Sequence, residues 1–379
     1  MRVLHIGLLS HYTDGMAYQD NFLPEMNIKS GHEVMFISDT YKYVNGILTE
    51  CEEEDITYPN GMRLVRLSYD FIVNKFITNK IQKIKKLINY LNDFQPDTIM
   101  YHGLCGYELM TVAEYKKRHP QILFYVDSHE DFNNTARTFL ARIAYKYIHG
   151  YFIKKARAQI NKILYLSLET KFFLKKMYKI LDKDLEFYPL GGVIQSKDKQ
   201  DECRRQIIEK YSLRNDVIIC SHSGKLDQLK RTKELLTAFS SVKTDKLFLI
   251  VFGSIPSDQK DILEPLIAKD NRIVFEGWKD IKESTEILCG VDVYCQPGSQ
   301  SATSQVALCC GCAEMVFPHK SYVDFYKDNV IYVNSEKEMK AVFQDMVVDT
   351  SMISSYKERA YNFASQFLSY ELLSERYLS

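Results

Sequence analysis

The chain has 379 residues, 46% of them apolar and 26% charged, and its 49 basic side chains balance 49 acidic ones for a formal net charge of zero. That length exceeds one ordinary core and fits two domains of roughly 180 residues each, while the even charge excludes a dedicated nucleic-acid binder. Nine cysteines without paired metal spacing, and a start MRVLHIGLLS without a basic n-region and cleavable apolar segment, point to a reducing, cytoplasmic setting.

Short β-rich runs alternate with longer helical patterns along the whole chain. The first half carries RVLHIGLL, EVMFISD, TIMYHG and ILFYVDS, and the second VIICSHSG, LFLIVFG, RIVFEGW and VDVYCQP. Such alternation predicts βαβ units with parallel sheets. Two series, each with its own glycine punctuation, predict an α/β chain of two doubly wound domains. The boundary is expected within FYPLGGVIQSKDKQDE, residues 187–202, which separates a domain 1–188 from a domain 189–360. The last helical stretch, 361–379, would pack back on the first domain. No apolar run approaches the roughly 20 residues that span a bilayer. In open parallel sheets ligands bind beyond the carboxyl ends of the strands, so two such domains facing one another would form a cleft lined by the turns after each strand.

The first such turn holds Gly15, which lets backbone approach a ligand. With only Gly7 and Gly15 before the helix it is not a dinucleotide fingerprint, and a plain loop glycine explains it as well. YVDSHEDFNN, residues 125–134, sets Asp127, His129, Glu130 and Asp131 directly after an apolar strand. These groups can supply an acid, a base or hydrogen bonds to sugar hydroxyls. A solvated acidic turn is the bland alternative, and one histidine with carboxylates is a poor metal set.

Residues 138–183 carry 11 Lys and Arg against only Glu169 and Asp182. Within them, 138–163 mixes aromatics, Ile and Leu with Arg142, Lys146, Lys154, Lys155 and Arg157, as a basic helix lying on an anionic membrane would. A solvated helix face with one buried side accounts for the same pattern.

SHSGKLDQLKRTKELLTAF, residues 221–239, places Gly224 and Lys225 at a strand end and Lys230 at the mouth of the next helix. Cations at a helix N-terminus are disfavoured by its dipole unless an anion binds there, so the pair points to a phosphate or pyrophosphate. No GxxxxGK[ST] motif is present, which excludes an ordinary P-loop. CCGC, residues 309–312, falls on a helical pattern and reads as small buried thiols rather than as a metal site.

SGKL..LKRTKELLTAF resembles the donor-phosphate segment of GT-B glycosyltransferases of the large retaining family, with Lys225 at its arginine position and Lys230 at its lysine position. GMAYQDNFLPEMNIKSGHEV is similar to that family's N-terminal glycine loop and helix, and LFLIVFGS with RIVFEGW resembles its second-domain strands. VDVYCQPGSQSATSQVALCCG resembles its sugar-binding region and more nearly a capsule and O-antigen subgroup carrying PG[TS]xS. The resemblance implies two Rossmann-like domains facing a cleft and donor contacts from Gly15, Gly224, Lys225, Lys230, Gly253, Trp278, Gly298, Ser299, Ser301 and Gln305. Catalytic roles are expected for His129, Lys225 and Lys230, and acceptor or sugar contacts from Asp127, Glu130 and Asp131. The sequence departs at one point: by the spacing to Gly311 the family's second glutamate position falls on Gln305 or Val306, and no glutamate lies between Glu286 and Glu314. An amide can bond a hydroxyl but supplies no carboxylate charge.

The expected activity is transfer of a sugar, with retention and without metal or other cofactor, from a nucleotide diphosphate sugar, UDP-sugar favoured, to a hydroxyl acceptor. The acceptor expected from the subgroup is a surface-glycan or lipid-linked intermediate, reached from the inner face of the membrane through residues 138–163. A GT-B sugar-nucleotide epimerase and a non-catalytic nucleotide-sugar-binding partner remain as alternatives.

Overall fold

The computed structural model describes residues 1–16, 18–44, 46–132 and 135–378. Contacts divide the chain into two units, Met1–Pro189 together with Tyr370–Ser379, and Leu190–Ser369.

In the first unit the strands are β1 (Arg2–Gly7), β2 (Glu33–Asp39), the hairpin β3 (Tyr41–Val44) and β4 (Ile47–Glu50), β5 (Glu54–Thr57), β6 (Arg63–Leu67), β7 (Thr98–Tyr101), β8 (Leu123–Ser128), β9 (Lys162–Tyr165) and β10 (Leu185–Phe187). Eight of them form one sheet in the order β10-β9-β8-β7-β1-β2-β6-β5. Every pairing in it is parallel except that of β5 with β6. Val3, Leu4 and Ile6 of β1 are buried on both faces, the signature of a strand covered by helices on each side. β1 ends at Gly7, where a side chain would overlap Ser10 and Phe36.

The second unit holds β11 (Ile218–Lys225), β12 (Leu247–Ser254), β13 (Ile273–Phe275), β14 (Val293–Gln296), β15 (Ala313–Val316) and β16 (Ile331–Tyr332). Their order is β13-β12-β11-β14-β15-β16, all parallel. Strand order therefore reverses between β1 and β7 in one unit and between β11 and β14 in the other. In open α/β sheets these reversal points are where ligands bind.

The segment Tyr370–Ser379 is held in the first unit by burial and by hydrogen bonds. Tyr377 and Tyr188 are fully buried, the Tyr188 hydroxyl donates to the Leu373 carbonyl at 2.7 Å, and Phe22 stacks on Tyr370 with centroids 5.1 Å apart.

The basic stretch is a helix from Phe139 to Ala156, widened by a π-type segment over Tyr145–His149 and followed by a short 3-10 turn. β9 begins at Lys162, so the last residues of 138–163 belong to the sheet. His149, Phe152, Ile153 and Ala156 form its buried side, while Phe139, Tyr147, Ile148 and Tyr151 are exposed. Among the described residues no helix is long and apolar enough to cross a membrane.

Candidate functional site

In the second unit β11 and β12 run in register to paired glycines, Gly224 beside Gly253. Both have φ near the edge of what only glycine adopts, 120° and 124°, and a Cβ on Gly253 would overlap the Gly224 carbonyl. The two strand ends are thus bare backbone. Lys225, the last residue of β11, is exposed. The chain then turns through Asp227, whose carboxylate accepts from the Leu229 amide at 3.1 Å, into a 3-10 turn over Gln228–Lys230. Arg231 follows with φ of 56°, and the helix begins only at Thr232. Lys230 therefore stands before the helix rather than in its first turn, and its side chain folds back over Gly224: a Cβ there would lie 3.2 Å from Cε and 3.4 Å from Nζ.

Lys230 is only 8% exposed. Burial lowers its pKa to about 8, and Asp227 is the charge that pulls the other way. A desolvated ammonium without full compensation is costly, and the cost is removed when an anion docks against it.

The segment after β14 wraps around the same turn. Ser299 donates its amide to the Leu229 carbonyl at 2.8 Å, and a Cβ on Gly298 would overlap Leu229 and Lys230 backbone. His319 Nε2 donates to the Gly298 carbonyl at 2.9 Å, Gln296 Nε2 to the Ser299 carbonyl at 2.5 Å, and the Ser301 amide to the Tyr322 hydroxyl at 3.1 Å. Ser301 precedes the helix Ala302–Cys309. Below this loop His222 donates from Nδ1 to the Cys295 carbonyl at 2.7 Å and accepts at Nε2 from Thr232 at 2.9 Å, a neutral ring whose pKa burial pulls down to about 4. These contacts bring Gly224, Lys230, Gly253, Gly298, Ser299 and Ser301 together at the reversal point.

Two further expected donor residues of the second unit lie beside that cluster, Trp278 next to Gly277, whose carbonyl accepts from the Gly253 amide at 2.7 Å, and Gln305 through the Ser301 carbonyl. Trp278 follows Gly277 on a loop and is 73% exposed. The Gln305 amide accepts from the Tyr326 hydroxyl at 2.7 Å and donates to the Ala302 and Ser301 carbonyls at 3.1 Å, so it is taken up by its own helix. A carboxyl does occur below this helix: Glu314 on β15 is fully buried and bonded to the Ser304 hydroxyl. Burial pushes it up to about 8, despite Ser304, and it stands as a neutral acid. Sequence reasoning missed it because it lies in a strand that resembles the end of a helix. Cys309, Cys310 and Cys312 are buried free thiols, as expected of small core side chains.

In the first unit the corresponding reversal point carries His5 from β1 and His102 just beyond β7. His102 Nδ1 lies 2.7 Å from Asp127 Oδ2 and 3.2 Å from Asp20 Oδ1. Asp127 Oδ1 accepts from the Gly103 amide at 2.7 Å and lies 3.5 Å from His129 Nε2. Burial alone would raise the Asp127 pKa, but His102 and His129 outweigh it and hold the carboxyl well below its usual range. Burial likewise pulls His129 down, and Asp127, backed by Asp20 and Glu130, pushes it up to about 9. The His129 ring is 45% exposed. Glu130 is buried against the Ser128 hydroxyl and shifted upward by burial. Asp131 is half-buried on the same loop.

Gly15, at φ of 74°, has open space where a side chain would be. Its loop is pinned from one side by Arg66, which donates to the Tyr12 carbonyl at 2.8 Å, and from the other by Asn21, which donates to the Thr13 carbonyl at 2.9 Å.

Among the described residues Asp20, His102 and Asp127 form a close group of metal-competent types. Their facing atoms are already joined through the His102 Nδ1 proton, and a metal needs that nitrogen bare. His5, Asp20 and His102 escaped the sequence reading; the signal available was a histidine directly after the apolar run TIMY.

No protein-family model matches the chain, and no curated protein matches it in sequence. Solved structures do match it end to end. A glycosyltransferase from Rickettsia africae superposes with a TM-score of 0.66 at 14% identity, covering 99% of this chain and 96% of that one. Sucrose-phosphate synthase from Thermosynechococcus elongatus gives 0.66 at 13%, covering 98% and 96%. HepE from Anabaena, in complex with UDP-glucose, gives 0.64 at 10%, covering 100% and 98%. The fold is that of GT-B glycosyltransferases, α/β with parallel sheets.

Proposed function

We propose that the chain is a glycosyltransferase that moves a sugar from a nucleotide diphosphate sugar, UDP-sugar favoured, to a hydroxyl acceptor with retention of configuration. The observation that carries this reading is Lys230, a buried ammonium folded over the bare backbone of Gly224 at a sheet's reversal point. Such a site stabilises the negative charge that accumulates on a leaving diphosphate. The resemblance to structures such as HepE, solved with UDP-glucose, supports a uridine diphosphate sugar as donor.

In this mechanism Lys230, with the exposed Lys225 beside it, neutralises the diphosphate, while the first amides of the helix Ala302–Cys309 hold its oxygens. His129 enters as an imidazolium at neutral pH, so it donates hydrogen bonds to the transferred sugar rather than accepting the acceptor's proton. Asp127 orients it, and Glu130 and Asp131 line the same turn. The leaving phosphate takes the acceptor proton on the face it departs from, a route that demands positioning more than a protein base. No step calls for a metal or another cofactor.

A thermal-shift screen against UDP-, GDP- and dTDP-sugars, followed by product analysis, tests the reading. Stabilisation by one nucleotide class that disappears in Lys230→Ala supports it; no stabilisation by any of them sinks it. Donor binding without transfer or hydrolysis over a range of acceptors would favour a non-catalytic binding partner, the reading suggested by Gln305 being bound within its own helix.

The acceptor proposed is a surface-glycan or lipid-linked intermediate. The helix Phe139–Ala156 supports it: Phe139, Tyr147 and Tyr151 are exposed alongside the exposed cations Arg142, Lys146, Lys154 and Lys155, a combination suited to an anionic lipid surface. Flotation with vesicles that contain or lack anionic lipid tests the contact, and lipid-independent behaviour would dismiss it.

A further inference from the structure

A chain of buried hydrogen bonds in the first unit runs from the returning segment 370–378 to His129. Its directions can be assigned one by one, because it starts at a group that only accepts. The Ser374 carbonyl accepts from Asn27 Nδ2 at 3.2 Å, which fixes the Asn27 amide and leaves Oδ1 as an acceptor. That oxygen accepts from the Tyr377 hydroxyl at 2.8 Å and faces His5 Nε2 at 2.9 Å, so His5 carries its proton on Nε2. His5 Nδ1 lies 3.0 Å from His102 Nε2, and one proton must sit between them. At the far end His102 Nδ1 faces only carboxylate oxygens, those of Asp127 and Asp20, so it too bears a proton.

Three N–H groups follow along this path, those on His5 Nε2 and His102 Nδ1 and the one between the rings. Two neutral imidazoles carry two, so the pair holds one positive charge. Coulomb's law places that charge on His102, which is in contact with two carboxylates, and not on His5, whose other partner is a neutral amide. The remaining possibility, a protonated Asp127 donating to a neutral His102, is disfavoured because Asp127 Oδ1 already accepts from the Gly103 amide at 2.7 Å and faces His129. The groups facing His102 are His5 from β1, Asp20 from the helix Gln19–Lys29, Asp127 and His129 from the end of β8 and its turn, and the uncharged ring of Phe36 from β2, stacked at 5.9 Å.

We infer that His102 is a positioning residue held as an imidazolium between His5 and Asp127, and that this fixed cation holds and partly neutralises the Asp127 carboxylate aimed at His129. The role of His129 toward the transferred sugar rests on the transferase reading above; the charge on His102 does not. Asn27, His5 and the segment 370–378 become the support that sets the proton arrangement of the site.

Imidazole nitrogen NMR of protein labelled in its nine histidines reads the protonation directly. The expected result at pH 7 is His102 protonated on both ring nitrogens and His5 on Nε2 alone; a His102 ring with one bare nitrogen overturns the inference. In folded Asn27→Leu, His5 is free to reverse its proton and His102 is expected to lose its second one. An imidazolium that persists unchanged there would show that the chain does not hold it. In folded His102→Gln, Asp127 and Asp20 lose their neutralising cation, and the His129 titration is expected to move to higher pH, with transfer reduced at least tenfold at unchanged donor affinity. An unmoved His129 titration overturns the positioning role. If the wild type transfers no sugar while the nitrogen signals are as expected, the transferase reading fails and the imidazolium stands. Transfer by a wild type whose His102 is neutral does the reverse: the transferase reading stands and the imidazolium fails.

Discussion

The Lys230 side chain occupies the space that a side chain on Gly224 would need, with Nζ 3.4 Å from where that Cβ would stand. The glycine and the lysine are therefore one device: the absence of a side chain at the strand end makes room for an ammonium to lie, out of water, against backbone.

Replacing Lys230 by methionine keeps most of the volume and removes the buried charge. Donor affinity should fall at least tenfold, while the empty protein becomes more stable at pH 7 by roughly 1 to 2 kcal/mol, since an incompletely compensated ammonium no longer has to be desolvated. Thermal unfolding with and without donor measures both quantities. A variant that is destabilised and still binds normally would show that Lys230 is structural.

The same burial sets a pH dependence. Free in the unfolded chain Lys230 keeps its proton up to its ordinary range near 10.5, but in the folded protein it loses it above about 8. Its destabilising contribution is thus full below pH 8 and fades as the pH climbs toward 10.5. A bound diphosphate restores the proton, so donor binding at pH 9 should take up protons and weaken as pH rises. Calorimetry in two buffers of different ionisation heat detects this; proton-neutral binding at pH 9 would count against Lys230 facing the phosphates.

His129 titrates with the opposite sense. Its folded pKa, about 9, lies above the unfolded value of roughly 6.5, so the stability it brings with Asp127 is complete below pH 6.5 and disappears as pH passes 9. Urea midpoints across that range should decline more steeply for the wild type than for His129→Gln, by a modest amount because the ring is partly solvated. Parallel curves would mean the ion pair contributes nothing.

Gly253→Ala should be among the most damaging single substitutions in the second unit. It forces a Cβ into the Gly224 carbonyl at a φ of 124°, and a cost of about 3 kcal/mol or more is expected from strain and displacement together. Gly224→Ala meets only the flexible end of Lys230 and should cost less in stability while still impairing donor binding. Chemical denaturation of both variants ranks them, and a reversed order would contradict the geometry.

Much of the fold was legible because parallel strands with helices on both faces are apolar almost throughout, and runs such as LFLIVFG declare themselves. The strands that escaped notice lack that property. KILY of β9 was hidden at the end of a basic helix, and AEMV of β15 carries Glu314 in its middle. Lys230 was visible as a cation near a helix start, but its burial was not, because it depends on Arg231 adopting a left-handed backbone and delaying the helix to Thr232. Asp127 and His129 could be picked out as neighbours in one turn. His5, Asn27 and His102 could not be joined to them from sequence, since the contacts link residues as far apart as 5 and 102, or 27 and 377.

The return of Tyr370–Ser379 into the first unit has a consequence for the order in which the molecule is made. Residues 1–189 leave the ribosome early, yet the buried Tyr377 ring and the carbonyl of Leu373 that Tyr188 bonds arrive only after the entire second unit has been translated. The domain begun first is finished last, and until then the nascent chain presents an incomplete core to chaperones and proteases.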